Sequence, residues 1–517
     1  MATKKFNLAA LSLAFLFIAC GDDSSKPSSG QNVVSVTNKT ISGVSQKGPF
    51  VNGSSVTVQE LDGETLAQTG SSYEGKIKND KGEFSVKVAK LASQFVLLKA
   101  NGFYRNEVSG DKSKSQITLY ALTDVSDRDE VNVNLLTHLE HERSLYLVSE
   151  NSMTIKDAKK QAEGEILASF GIEGEFANTE DLNIFGTDDG AAALLAVSVL
   201  LQGDLSEADF SERLAYYASD IESDGKWDDS ETATAIADWA SSKSLKGELA
   251  NIRNNIAEWK LSDDVPAFEK YVDIFWWKNY GLGICDETRE GEVLTTTNKH
   301  SVNYDSQVRF ICKSNSWREK TIWDIPKEAY LNPDIEYDSI TDVRDNQSYK
   351  IVKIGSQVWM AENLNYADSN KTPSLKGNSW CCGNEMKNCE VAGRYYDKKT
   401  IAEICPQGWH IPSQEEWEVM FKTVGGSIIE KYDRESVYNP ESIVGMDEYG
   451  FSTIPAGCVF GGSALLGDCS VGYSAAFFTS TECENGTISR LYLGDRPSFW
   501  CDEIGFDYNV RCIKDEE

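Results

Sequence analysis

The stretch Cys405-Pro-Gln-Gly-Trp-His-Ile-Pro-Ser-Gln-Glu-Glu-Trp417 decides how the C-terminal part of the chain folds. Ser413 followed three residues later by Glu416 is a capping box, in which each side chain accepts a hydrogen bond from the other residue's backbone N–H. Pro412 and Trp417 stand where a hydrophobic staple fixes the entry of the chain into a helix. The helix is expected to run to Val424 and to stop at Gly425-Gly426. The cap accounts for Glu416, so this carboxylate needs no catalytic role.

Outward from that helix the pattern changes in blocks. The chain has 517 residues, too many for one core, so several domains are expected. From 37 to 134, short alternating runs such as Ser55-Val-Thr-Val-Gln-Glu-Leu61 and Gly82-Glu-Phe-Ser-Val-Lys-Val88 are broken by turns such as Asn79-Asp80-Lys81-Gly82. That is the pattern of a β-sandwich. From 135 to 262 the apolar period becomes helical, with helices expected at Thr154–Ala168, Phe210–Ser219, Thr232–Ser241 and Ala250–Leu261. The run Ala191–Leu201, preceded by the capping-type residues Thr187, Asp188 and Asp189, reads as a buried helix. Residues 263–325 read as a small β-rich connector with aromatic clusters at Phe275-Trp276-Trp277 and Trp317, and 326–517 as the final domain. The fold class is multidomain α+β: an N-terminal sandwich, a small helical domain and a disulfide-rich C-terminal α+β domain.

Asp and Glu number 81 against 50 Lys and Arg, a formal charge of -31. Such a surface repels phosphate backbones, which argues against a nucleic-acid partner. Of 12 cysteines, Cys20 stands alone near the start and the others lie between Cys285 and Cys512. Cys285 and Cys312 are expected to pair. Zinc is the rival use, but the chain has no Cys-x-x-Cys pair and only four His. His138 and His141 are three apart without the His-Glu-x-x-His order and read as a helix surface. Neither a Gly-x-Ser-x-Gly elbow nor a phosphate-binding loop is present, and no catalytic residues are assigned.

The first 20 residues read as a signal segment. Lys4 and Lys5 precede the apolar Leu8–Ala19, too short to span a bilayer. Phe17-Ile18-Ala19-Cys20-Gly21 resembles a bacterial lipobox, which implies lipidation of Cys20, membrane anchoring and, with Gly21 rather than Asp at the next position, an outer-membrane destination. Residues 21–36 form a flexible tether. Asp220-Ile-Glu-Ser-Asp-Gly-Lys-Trp-Asp-Asp-Ser-Glu231 has the length of a calcium-binding EF-hand loop. Asp220, Glu222, Asp224, the Lys226 carbonyl, Asp228 and Glu231 would be the ligands of a structural Ca2+. Glu222 and Trp227 depart from that pattern. The alternative is a solvated acidic helix–turn–helix in which Gly225 makes the turn.

The segment Tyr349-Lys-Ile-Val-Lys-Ile-Gly-Ser-Gln-Val-Trp-Met-Ala-Glu-Asn-Leu-Asn365, then Gly393-Arg-Tyr-Tyr396, Cys405–Trp417, Phe477-Phe-Thr-Ser480 and Val510-Arg-Cys-Ile-Lys514 closely resemble the Fibrobacter succinogenes major paralogous domain of surface lipoproteins. Gly-Trp-His-Ile-Pro-Ser-x-x-Glu-Trp is also similar to a motif of formylglycine-generating enzymes, which implies a C-type-lectin-like fold. That fold implies a Cys405–Cys512 bond between the helix region and the last strand. Cys458–Cys469 and Cys483–Cys501 are expected loop staples. Cys381 or Cys382 joins Cys389, with Cys382 and Cys389 the pair assigned, leaving one of the vicinal cysteines over.

Three functions follow. The first is a non-catalytic surface adhesin that binds polysaccharide, with Trp380 and Trp500 as stacking residues and Asp495, Arg496 and Asn509 as polar neighbours. The second is a structural scaffold making protein contacts. The third is a formylglycine-generating-like oxidoreductase using the leftover thiol. Trp359, Trp409 and Trp417 lie inside the motifs and are expected in the core.

Overall fold

The computed structural model describes residues 32–425, 447–457, 459–460, 471–472, 474–484, 486–493, 498–501 and 505–516. Cys20 and most of the tether lie outside the described residues. The chain divides into two compact units, one up to Arg318 and one from Glu319.

In the first unit, strand alternation sets the start. Val56 and Val58 of β2 (Ser55–Leu61) and Phe84, Val86 and Val88 of β4 (Glu83–Leu91) are buried between more exposed neighbours, so each strand has one face to cover. β1 (Val36–Gln46) pairs antiparallel with β4 and parallel with β7 (Val133–Asn134). A second sheet has the order β3 (Gln68–Lys76), β2, β5 (Phe95–Gly102), β6 (Ile117–Asp124).

Seven helices follow: α1 (Leu135–Asn151), α2 (Ile155–Ser169), α3 (Asp189–Gln202), α4 (Glu207–Ile221), α5 (Ser230–Leu245), α6 (Leu249–Glu258) and α7 (Glu269–Tyr280). The side chains of Asn134, Thr154, Asp188, Ser206 and Asp229 cap α1 to α5 in turn by accepting an orphan backbone N–H, each worth about 1 kcal/mol. α3 is apolar all round and buried from Gly190 to Gln202, as such a helix must be. No single described helix is long and apolar enough to cross a membrane, although α3 and α4 pass that test together as a pair bent by 113°. One apolar core joins Val86 and Leu98 of the strands, Leu195 of α3, Trp276 of α7, and Phe310 and Cys312 beyond it.

The segment expected as a β-rich connector opens instead with α7. Its Phe275, Trp276 and Trp277 are all buried, so tertiary packing overrides the strand preference of aromatics. Only beyond α7 come β8 (Val293–Thr295), a short α8 (Val302–Asp305), β9 (Arg309–Lys313) and β10 (Ser316–Glu319). His138 and His141 are likewise not a free helix surface. Their rings stack against Tyr120 at 5.7 and 4.9 Å, and burial holds the His138 imidazole down to about 3.

Beside them lies a buried charge cluster. Lys159 Nζ is 3.3 Å from Glu140 and 2.7 Å from Glu180, while the Thr179 hydroxyl donates to Glu140 Oε1 at 2.7 Å. Burial outweighs these partners at Glu140 and pushes its carboxyl up to about 8 from the ordinary 4.5. Between those two values the folded chain holds a proton on Glu140 that the unfolded chain has lost. Stability contributed here therefore falls as pH rises through that window. Glu140→Gln is expected to leave the unfolding midpoint of this unit unchanged below the window and to raise it above. A midpoint difference independent of pH would contradict this account.

The second unit is built on short strands. Its main sheet has the order β11 (Asp338–Thr341), β12 (Ser348–Ile354), β13 (Gln357–Met360), β22 (Ile513–Lys514), β16 (Trp409–His410). The other strands form small sheets: β14 (Ser379–Trp380) with β15 (Tyr395–Tyr396), β17 (Val459–Phe460) with β21 (Phe506–Asp507), and β18 (Ala475–Glu482) with β19 (Ile488–Leu493) and β20 (Ser498–Cys501). Among the described residues the unit also has helices α9 (Met386–Ala392) and α10 (Gln414–Thr423). Both bonds of the α10 capping box are made: Glu416 N–H donates to Ser413 Oγ at 3.2 Å and Ser413 N–H to Glu416 Oε2 at 2.7 Å. Trp417 is fully buried, 4.7 Å from the Trp359 ring and 5.6 Å from Phe477. Trp409 is half-buried.

Candidate functional site

After β13 the chain passes through Ala361-Glu-Asn-Leu-Asn365, and the fold ties this segment tightly. The guanidinium of Arg511, buried beside β22, donates to Asn363 Oδ1 at 2.7 Å, to the Ser452 carbonyl at 2.8 Å and to the Phe451 carbonyl. The Asn363 amide then donates to the Ala392 carbonyl at 2.8 Å, at the end of α9. Gly393 has φ +71, and a Cβ there would run into the backbone of Asn363 and Leu364. Only glycine allows that approach.

Beside the segment is a hollow of about 40 Å³ lined by Lys327, Gln347, Glu362, Asn365, Glu390 and Ser452 among others. Lys327 Nζ pairs with Glu362 at 2.7 Å, and Asn365 Oδ1 is buried with no hydrogen-bond partner among the described residues. The hollow has room for water and none for a sugar ring. It works as a polar seat for the segment.

The exposed chemistry lies at the edge strand β20. Trp500 is 47% exposed and stands directly opposite Arg490 of β19, as Ser498 stands opposite Tyr492. Cross-strand partners share a face. The Arg490 guanidinium lies 5.2 Å from the Tyr508 ring and 5.6 Å from Phe506, and it donates to the Tyr508 hydroxyl at 2.5 Å. A disulfide from Cys501 to Cys483 pins the strand end. An exposed indole on the strand position opposite a stacked guanidinium offers a flat apolar face and hydrogen-bond donors on one face of the sheet. Sequence reasoning missed Arg490 and Tyr492. Their alternation with the buried Ser489, Leu491 and Leu493 was the available signal.

The other candidates scatter. Trp380 is half-buried in β14, a different sheet from Trp500, and no described contact joins the two. Asn509 is a correction: it is fully buried, and its amide donates to the carbonyls of Arg394 at 2.9 Å and Ala392 at 3.3 Å. It holds two chain segments together and offers nothing to a ligand. Asp495 and Arg496 lie outside the described residues, as do Cys458 and Cys469.

Disulfides join Cys285 to Cys312, Cys405 to Cys512 and Cys483 to Cys501. Cys389 takes Cys381, not Cys382. Cys382 is free and buried because its side chain packs into an apolar cluster with Tyr330, Tyr395 and Ala456. Burial pushes its thiol up, the opposite of what a reactive thiol needs.

In the first unit, the Asp220–Glu231 loop turns its acceptors to its own backbone. Asp220 Oδ2 accepts from the Asp228 amide at 2.6 Å, and Asp224 from the Lys226 amide at 3.0 Å. Arg143 donates to the Glu222 and Ser223 carbonyls at 2.9 and 2.8 Å while pairing with Glu165. Gly225, at φ +76, leaves the room that the Glu165 carboxylate fills. Among the described residues no three His, Cys, Asp or Glu come together as a metal-holding group.

Residues 352–514 match the family model of the Fibrobacter succinogenes major domain. The matched residues take in β13, the tied Ala361–Asn365 segment, α10, the Trp500 edge and Arg511. No curated protein and no solved structure matches the chain.

Proposed function

We propose that the chain is a non-catalytic lipoprotein, anchored to the outer membrane through Cys20, whose major domain binds polysaccharide at the Trp500 edge. The single observation that carries this reading is the half-exposed Trp500 opposite Arg490 on a disulfide-pinned edge strand. Sugar rings stack their C–H faces on indoles, and a planar guanidinium donates to vicinal hydroxyls. The C-type-lectin-like reading of the domain is supported by the capped α10 packed against short strands and by the Cys405–Cys512 bond.

Binding of the full chain to a panel of soluble and insoluble polysaccharides tests it. Trp500→Ala is expected to weaken saturable binding by about tenfold, the loss of one stacking contact, and Arg490→Gln by less. Binding untouched by Trp500→Ala, or absent from every glycan, would leave the protein-contact scaffold as the reading to pursue.

A structural calcium ion in the Asp220–Glu231 loop is a separate proposal. A ligand that binds only the folded state raises the unfolding midpoint. Calcium is therefore expected to raise the melting temperature of the first unit, and Glu231→Gln to remove that rise. A melting temperature indifferent to calcium would end the proposal.

A further inference from the structure

A cavity of about 210 Å³ opens between α4 and the start of α5 in the first unit. Tyr216 and Trp227 form its aromatic wall, and Asp209, Glu212, Arg213 and Asp229 its polar lining. We propose that this cavity is a second carbohydrate site, which takes one neutral pyranose ring.

Four observations converge on it. Tyr216 is 64% exposed, a large aromatic left facing solvent on a helix that carries acidic residues on its exposed side. Trp227 packs edge-on to Tyr217 at 5.1 Å and lies 5.4 Å from Phe170, so its ring is held rigid where it meets the cavity. The sequence already marked Trp227 as foreign to a calcium loop, and its place in this wall gives it another use. The fourth is Arg213. Its one described hydrogen bond is to the Leu201 carbonyl at 2.9 Å, and no carboxylate comes within ion-pair distance of it among the described residues. Asp209 and Asp229 attract this half-buried guanidinium without pairing with it; each already accepts a local bond, Asp209 from the Ser206 hydroxyl at 2.7 Å and Asp229 from the Thr232 amide at 3.0 Å.

The ligand class follows from that lining. An anion would meet Asp209, Glu212 and Asp229, while an amine would meet those three as well as Arg213 and is the competing ligand that cadaverine represents. A neutral polyol ring offers donors to the carboxylates and acceptors to the guanidinium, and its apolar face suits the aromatic wall. The volume lies below the roughly 300–1,000 Å³ of drug-sized sites, which suits one ring with the rest of a chain leaving through the open side.

This site is independent of the Trp500 edge, so the two fail separately. The experiment titrates the full chain with glucose, galactose, mannose and xylose, and with cadaverine as the amine control. Binding is read by calorimetry for wild type, Tyr216→Ala, Glu212→Gln and Trp500→Ala. Both cavity variants sit on the exposed side of α4, and unchanged melting curves check that they fold. Saturable binding of at least one sugar is expected, weakened about tenfold by Tyr216→Ala and severalfold by Glu212→Gln, and unaffected by Trp500→Ala. The proposal is overturned if no sugar binds, if only cadaverine binds, or if both cavity variants bind as wild type. Loss of binding in Trp500→Ala alone would also overturn it, and would assign the sugar to the major domain.

Discussion

Replacing Cys405 and Cys512 together by alanine is expected to destabilise the C-terminal unit by about 4–5 kcal/mol. The two are separated by 107 residues, and a loop of that length gives about 4.7 kcal/mol when its closure constrains the unfolded chain. Cys512 is fully buried and immediately precedes β22, where Ile513 pairs with both Trp359 and His410. The bond thus fixes the strand that closes the main sheet. The Cys483–Cys501 bond spans 18 residues, and the same argument gives about 3 kcal/mol for its removal. Chemical unfolding of the two double variants makes the comparison, with the transition of the first unit as internal reference. Equal shifts in the two variants would show that loop closure is not what the long disulfide contributes.

Arg511→Ala is expected to cost about 3–5 kcal/mol, a large share of the roughly 5–15 kcal/mol that keeps a domain folded. The side chain is buried with its guanidinium 4.4 Å from the Phe451 ring, and no carboxylate among the described residues pairs with it. Burial pushes its pKa down to about 9, with Asp447 and Glu362 pulling the other way. Truncation would leave Asn363 Oδ1 and the Phe451 and Ser452 carbonyls without their donor, and would leave a cavity as well. Arg511→Lys is expected to recover little, because one ammonium cannot reach three acceptors set out for a planar fork. A shift in the unfolding midpoint of less than about 1 kcal/mol for Arg511→Ala would show that water replaces the guanidinium.

What the sequence alone determined is local. The capping box of Ser413 and Glu416, the cap at Thr154, the alternation of Val56 and Val58, and the largely apolar Ala191–Leu201 each depend on residues a few positions apart. Their signals are therefore complete within a short window. The tertiary structure decided whatever depends on which side of the chain meets which distant neighbour. Vicinal Cys381 and Cys382 are equivalent in a sequence, yet one reaches α9 while the other enters an apolar cluster. Phe275-Trp276-Trp277 lies in a segment read as a β-rich connector, and it is helical because a core closes around it. Asn509 and Arg511 look like surface polar residues until the carbonyls that need their donors, on segments far away in the chain, are seen. Tyr216 could be told from the buried aromatics only when packing left it uncovered, because exposure is fixed by the neighbours a residue lacks and no window of sequence records those.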